Sequence, residues 1–229
     1  MIADAIILAR GGSKGIPRKN IIDFCGKPLL AWSIEQCLTS QYVHEVWVSS
    51  DSDEILDVAT QYGAKTILRP TDISDDHATS ESGWLHAIEY IEKKGTEIDI
   101  VVAPQVTSPL RESFDIERAI KQFAEENLDS MFSCSIAEDL FYWEQRKDGS
   151  LSSINYDYLN RKRRQDISKQ FIENGSFYLF TPEVLRKFNN RFGNNIGCFE
   201  MDFWKMFEID SPEDIKMCSA LMNEFLIGV

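Results

Sequence analysis

The sequence predicts an α/β fold: a three-layer arrangement in which a mostly parallel sheet is covered by helices on both faces. Three observations carry this. Short apolar runs alternate with stretches of helical period along most of the 229 residues. The first run is continuously apolar rather than alternating, as a strand buried on both faces must be. Turn and capping residues, among them Gly63, Arg69-Pro70 and Ser211-Pro212, punctuate the junctions.

The elements follow in order. Residues 5–9 are the first strand, followed by a glycine-rich basic loop. Residues 28–37 place Leu29, Leu30, Ile34 and Cys37 at helical spacing. Residues 46–48 are the second strand, ending at Ser49-Ser50-Asp51. Ser52 is expected to cap the next helix, which has Ile55, Leu56, Val58 and Ala59 on its apolar face and Gly63 at its end. Residues 65–68 are the third strand. Ser82 opens a helix that carries Trp84, Leu85, Ala87, Ile88 and Ile91, with Gly95 near its close. Residues 98–102 are the fourth strand and run into Ala103-Pro104-Gln105. A helix over 113–125 and strands over 131–136 and 176–180 come next. Ser211, Pro212, Glu213 and Asp214 start the last helix, with acids at the positive end of its dipole.

This alternation gives a Rossmann-like sheet, and ligands of such sheets bind beyond the carboxyl ends of the strands. The chain is read as a single domain, 1–229. The stretch 138–172 breaks the rhythm, being aromatic (Phe141, Tyr142, Trp143) and charged (residues 161–164). Long insertions of this kind are usually functional or make oligomer contacts. It is read as a β-excursion that lines a ligand pocket and contacts a second subunit.

Composition narrows the function. A formal net charge of −13 disfavours nucleic acid and anionic membrane surfaces as partners. No apolar run approaches the length of a membrane span, and the start of the chain lacks the basic flank of a signal peptide. The five cysteines form no C-x-x-C pair and are odd in number, which reads as reduced thiols in a cytoplasmic protein. His44, His77 and His86 show no metal-ligand spacing and read as ordinary surface or helix residues.

Against that acidic background, Arg10-Gly11-Gly12-Ser13-Lys14-Gly15-Ile16-Pro17-Arg18-Lys19-Asn20 gathers four cations and three glycines just after strand 1. Glycines let the backbone present N–H groups to an anion, and the cations suit a triphosphate. The loop is neither a P-loop nor a dinucleotide fingerprint, because both glycine spacings are absent. A solvated basic turn is the competing reading of the loop alone.

A strand followed by A-R-x-G-S-K-G-x-x-x-K-N resembles the signature loop of CMP-sialic acid synthetases. The similarity extends over nearly the whole chain. Arg69-Pro70 with Ser74, Asp75, Ala78 and Ser80 resembles the family's second segment, and residues 105–111 (Q-V-T-S-P-L-R) resemble its Q-P-T-S-P-L-R. Arg164-Gln165 and Asn174-Gly175 resemble a later R-Q and N-G pair, and Glu208-Ile209-Asp210 lies where the family has D-I-D. Ketodeoxyoctonate cytidylyltransferases share the fold but carry a different loop and lack T-S-P-L-R, which favours a nine-carbon over an eight-carbon acid sugar.

The resemblance implies a cytidylyltransferase that joins CTP to the anomeric hydroxyl of a nonulosonic acid and releases pyrophosphate, as a homodimer with Mg²⁺ or Mn²⁺. Arg10, Gly12, Ser13, Lys14, Lys19 and Asn20 would hold the nucleotide, with Arg10, Lys19 and Asp210 catalytic and Lys19 stabilising charge at the α-phosphate. Arg69, Ala78 and Ser80 would recognise cytosine. From the residues alone, an ion pair of Arg69 with Asp72 or Asp75 and a helix cap at Ser80 are the favoured readings. Gln105, Arg164, Gln165, Phe171 and Asn174 would bind the sugar, Arg164 through its carboxylate. Gln105 could instead bond a loop carbonyl, and residues 161–164 could be a solvated charge run. Thr107, Ser108 and Arg111 either join the site or only fix their loop.

Asp210 and Glu208 are the expected metal carboxylates, read as lying on one side of a strand, with Glu208 departing from the family's aspartate. For Asp210 the alternative is an acid at a helix start. The aromatics at 141–143 replace a lysine of some sialic acid enzymes and point to a less polar sugar of the legionaminic or pseudaminic type. Two alternatives stay open: a sugar-nucleotide pyrophosphorylase using another NTP, and a nucleotide-binding homologue without turnover.

Overall fold

Strand β1 (Ala3–Leu8) sits near the middle of the sheet because its side chains are apolar on both faces: Ala5 and Ile7 point into one core, Ile6 into the other. Ile6 and Ile7 are fully buried, and each contributes about 1.5–3 kcal/mol by transfer from water. The computed structural model describes residues 2–13, 15–137 and 140–228, with the backbone alone at Arg164.

From β1 the chain runs through the basic loop into a small hairpin, β2 (Asp23–Phe24) and β3 (Lys27–Pro28). It continues as α1 (Leu29–Leu38), β4 (Val43–Ser50), α2 (Asp53–Gln61), β5 (Lys65–Leu68), α3 (Ser80–Lys93), β6 (Ile100–Pro104), α4 (Ser113–Glu125) and β7 (Ser130–Ile136). The hairpin β8 (Trp143–Gln145) and β9 (Leu151–Ser153) follows, then β10 (Phe171–Phe180), α5 (Pro182–Phe188), β11 (Ile196–Glu200) and α6 (Pro212–Met222).

The seven-stranded sheet has the order β11-β7-β10-β6-β1-β4-β5. Every neighbouring pair is parallel except the two made by β10, which runs antiparallel between β6 and β7. One core lies between the sheet and α1, α2, α4 and α6; the other lies under α3 and α5. The expected three-layer α/β architecture is therefore the one observed.

Several local expectations need correction. Ser52 occupies the cap position of α2 but makes no side-chain cap bond. Helix α3 begins at Ser80, not Ser82, and Thr79 caps it by accepting the N–H of Ser82. Strand β10 starts at Phe171, five residues before the expected 176. Its register against β7 shifts between Glu173 and Tyr178, where Gly175 takes a φ of +63°. Glu208 and Asp210 lie on no strand, although Ile209 between them is fully buried and turns both acids outward from the core.

Ser211 caps α6 as expected, in a reciprocal box with Asp214. The excursion contains β8 and β9 and a ring cluster, with Phe141 and Tyr156 centroids 4.4 Å apart and Trp143 and Tyr158 5.2 Å apart.

Candidate active site

Four connections meet at the carboxyl ends of the central strands. The first is the basic loop after β1. Its path is fixed by a neighbour: the N–H of Gly11 donates to Asp51 Oδ1 at 2.9 Å, just beyond β4. Arg10 projects sideways to Asp76 Oδ1, also at 2.9 Å, and its carbonyl accepts from the Asn20 amide. Arg18 adopts a left-handed φ of 57°, which starts the 3-10 turn Lys19–Ile21 and aims Lys19 back across the loop. The Lys19 ammonium lies 2.8 Å from Asp210 Oδ1. At Gly15 the loop passes so close to the chain at Asp210 that a Cβ would lie 2.8 Å from the Asp210 carbonyl oxygen.

The second connection follows β5. Arg69 is buried, its N–H donates to Ser50 O, and its Nε donates to Ser74 Oγ at 2.9 Å. Burial pulls its guanidinium pKa below the ordinary arginine value, and the Asp51 carboxylate opposes that shift. Neither Asp72 nor Asp75 takes the ion pair that the sequence left open; the recorded side-chain partner is the Ser74 hydroxyl.

The third connection, after β6, is held by Arg111. Its guanidinium is completely buried and donates to the carbonyls of Gln105, Ser108 and Ser176 and to the Ser33 hydroxyl. Arg111 therefore shapes the loop that presents Gln105 and Thr107. The fourth connection is the segment before α6. The N–H of Ile209 donates to Thr107 O at 2.7 Å, and the Thr107 side chain bonds the Glu208 carboxylate. Burial first, then the negative charge of Asp210, raises the Glu208 carboxyl above its ordinary value; Lys19 and Thr107 counteract this.

Between these connections lies an open cavity of about 360 Å³. Arg10, Ser13, Lys19, Asn20, Arg69, Ala78 and Ser80, all expected to hold a nucleotide, line it together with Gln105. Three cations thus face one cavity in a chain of net charge −13. Lys19 lines it and also touches Asp210, but neither Asp210 nor Glu208, the expected metal carboxylates, is among the residues lining the cavity. Gly12 sits exposed in the same loop with no atom near its Cβ position. Lys14 lies outside the described residues.

The residues expected to bind sugar are not gathered with them, Gln105 excepted. Gln165 borders a separate cavity of about 300 Å³ beneath the excursion, with Phe141, Asn155 and Gln170. Phe171 is 40% exposed at the start of β10, with the Lys169 ammonium over its ring. Asn174 is buried in the β10 irregularity, where its Oδ1 accepts the Ser176 N–H and lies 2.6 Å from the Ser133 hydroxyl. The side chain of Arg164 lies outside what is described.

Sequence reasoning missed one contributor, Asp76, which holds Arg10; Asp51, which holds Gly11 of the basic loop, and Thr107, which docks the acidic segment, fall where loop-supporting roles were expected. The positions of Asp51 and Thr107 at the ends of strands 2 and 4 were the available signal; Asp76 carries none beyond its neighbourhood to Ala78.

Comparison with known proteins shows the family and the fold. Residues 5–224 match the family described as Cytidylyltransferase. The chain is 37% identical over 186 residues to the N-acylneuraminate cytidylyltransferase of Oncorhynchus mykiss, covering 80% of this chain and 42% of that protein. It is 33% identical over 222 residues to the pseudaminic acid cytidylyltransferase of Campylobacter jejuni subsp. jejuni serotype O:23/36 (strain 81-176), covering 94% of both. The chain therefore spans less than half of the fish relative but nearly all of the bacterial one. Among solved structures, a CMP:2-keto-3-deoxy-manno-octonic acid synthetase complexed with CTP superposes with a TM-score of 0.73 at 20% identity, over 99% of this chain and 100% of that one. A 4-diphosphocytidyl-2C-methyl-D-erythritol synthase gives 0.70 at 13% identity, over 96% and 98%. These two likenesses speak to the fold, whereas the match over residues 5–224 and the bacterial relative place the chain in the cytidylyltransferase family.

Proposed function

We propose that the chain transfers the cytidylyl group of CTP to the anomeric hydroxyl of a nonulosonic acid of the sialic, legionaminic or pseudaminic type, releasing pyrophosphate. The observation that carries this is the convergence of Arg10, Ser13, Lys19, Arg69, Ala78 and Ser80 on one cavity, with Lys19 also meeting Asp210. The relatives named for N-acylneuraminate and pseudaminic acid cytidylyl transfer support the substrate class.

In this reading Arg10, Ser13, Gly12 and Lys14 bind the triphosphate, and Lys19 neutralises charge at the α-phosphate as the sugar oxygen attacks in line. Transfer of this kind needs positioning and charge stabilisation more than covalent help. Arg69, Ala78 and Ser80 take the cytosine and Asn20 braces the loop through Arg10. Gln105 stands at the border where nucleotide and sugar meet. Arg164, Gln165 and Phe171 reach the sugar from the excursion side, and Asn174 acts through the backbone of β10.

Asp210 and Glu208 suit Mg²⁺ or Mn²⁺. Mg²⁺ is commonly bound by one or two carboxylates plus substrate phosphates and waters. The raised Glu208 carboxyl, made costly to ionise by burial and by Asp210, is a negative pair that a dication relieves. When bound, the ion supplies neutralisation of the leaving pyrophosphate. The exposure of Trp143 and Tyr158 supports a reading of the 138–172 excursion as the contact of a homodimer, within a single-domain chain. The unpaired cysteines support a cytoplasmic setting.

The test is pyrophosphate release with each of the four NTPs against a panel of nonulosonic acids and sugar 1-phosphates. Release that requires CTP, a divalent ion and a free nonulosonic acid is expected. Preference for another NTP or for a sugar 1-phosphate overturns the reading, as does CTP binding without turnover on every acid.

A further inference from the structure

A second cluster of metal-ligating groups lies at the start of the central strands, away from the cavity just described. Asp4 on β1 and His44 and Glu45 on β4 each offer a ligand atom, all within 4.8 Å of one another. Consecutive residues of a regular strand point to opposite faces, so His44 and Glu45 should not converge on one partner. They do so because the parallel register between β1 and β4 shifts there: Ala3 pairs with Val43, but Ala5 pairs with Val46. One residue, Asp4, therefore faces two. Bulges of this kind re-aim side chains and are retained as features rather than defects.

The cluster is electrostatically incomplete. Asp4 is fully buried, and its Oδ1 lies 3.4 Å from His44 Nδ1 and accepts the Glu45 N–H at 3.2 Å. Its Oδ2 is buried with no hydrogen-bond partner among the described residues, and so is Oε2 of Glu45. Lys65 reaches only the other oxygen of Glu45. Buried carboxylate oxygens without donors are rare, because nothing replaces the water they lose. His44 is the open side of the cluster, its side chain 59% exposed, and it gives an ion a route in.

We propose that Asp4, His44 and Glu45 form a binding site for a divalent transition ion of the Zn²⁺ class, which ties the start of β1 to that of β4. Imidazole with two carboxylates is a donor set that such ions accept, and three protein ligands leave a position for water. Contraction of the donor atoms onto the ion is needed and is modest, since they already share one small volume. The ion stabilises the sheet by binding the folded chain alone. It takes no part in transfer at the cavity, which the strands' opposite ends form.

The experiment is titration of the intact protein with Co²⁺ and Zn²⁺ in millimolar Mg²⁺, followed by visible absorption for Co²⁺ and by thermal unfolding for Zn²⁺. Wild type is expected to show cobalt bands at one equivalent and a rise in Tm. His44→Ala, a change at an exposed side chain, is expected to lose both while keeping the same pyrophosphate release. Its binding should weaken by at least the roughly 10–100-fold that loss of even an outer-shell partner costs. Glu45→Gln should weaken binding as well, and serves as the second variant. Absence of binding in wild type overturns the proposal. Binding that His44→Ala and Glu45→Gln leave unchanged also overturns it, by placing the ion elsewhere.

Discussion

Arg111 is the residue on which the loop after β6 depends, and replacing it with Met is a direct test of that dependence. Met keeps the apolar stem and removes every donor. Three carbonyls, those of Gln105, Ser108 and Ser176, then lose the guanidinium. The Ser108 carbonyl is left without a donor, while those of Gln105 and Ser176 each keep a backbone N–H and lose a bond to a charged group; at about 1–3 kcal/mol apiece the three together cost on the order of 6 kcal/mol. Removing the charge returns part of this. Burial holds the Arg111 guanidinium at about 10 against an ordinary 12.5, a gap worth on the order of 3 kcal/mol. The net expectation is a loss of about 3 kcal/mol, a large share of the roughly 5–15 kcal/mol that a domain possesses.

Urea unfolding read through the midpoint at constant slope measures the loss. Arg111→Lys should fare little better, because a single ammonium cannot reproduce the planar fork that spans both strands and the Ser33 hydroxyl. Steady-state kinetics on the folded fraction should show the catalytic constant falling, since Gln105 and Thr107 move with the loop. A midpoint within about 0.5 kcal/mol of wild type, the range of ordinary surface changes, refutes the reasoning.

Three further outcomes are expected. Lys19→Ala should leave the circular dichroism and unfolding midpoint close to wild type and reduce pyrophosphate release by about 100-fold or more, the scale of losing one preorganised charge-stabilising group; retained turnover removes Lys19 from the chemistry. Gly15→Ala should lower turnover through displacement of the loop, because its Cβ would stand 2.8 Å from the Asp210 carbonyl oxygen, and a rate equal to wild type contradicts the close approach. Burial alone would depress the Lys205 ammonium's pKa, but its bonds to Asp115 at 2.7 Å and Glu112 at 2.8 Å hold it above the usual lysine value. Its stabilisation is therefore full below about pH 10.5 and lost as pH rises through the higher folded value. Lys205→Met should cost about 3 kcal/mol at neutral pH and flatten the alkaline fall, while an unchanged alkaline profile rejects the pairing.

The elements most legible in the sequence were those whose signals are local. Strand β5 and helix α4 have the bounds expected of them, because an apolar period lies between clear breakers in each. Helix α5 was missed although Thr181-Pro182 is the same cap-and-proline signal as Ser211-Pro212, because the helix is only seven residues long. Strand β11 was missed for a different reason: Ile196-Gly197-Cys198 reads as a loop, and β7 alone makes it a strand. Ser52 failed as a side-chain cap in a region already committed to another task, since its neighbour Asp51 anchors Gly11.

The residues proposed for the nucleotide could be read as neighbours because most follow strand ends, where topology brings them together. Those proposed for the sugar could not, because Gln165 and Phe171 belong to an excursion whose path no periodicity fixes. Asn174 was read as a ligand from its motif, yet burial turns its amide into a brace for β10. His44 was read as an ordinary surface histidine; a register shift, which sequence spacing does not reveal, puts it beside Asp4.

The central claim is that CTP occupies the cavity at the strand ends, and a crystal structure of the protein soaked with CTP tests it most directly. Density is expected with the triphosphate against Ser13 and Lys19 and the cytosine beside Arg69, Ala78 and Ser80. A nucleotide bound anywhere that leaves Lys19 and Arg69 untouched contradicts the account.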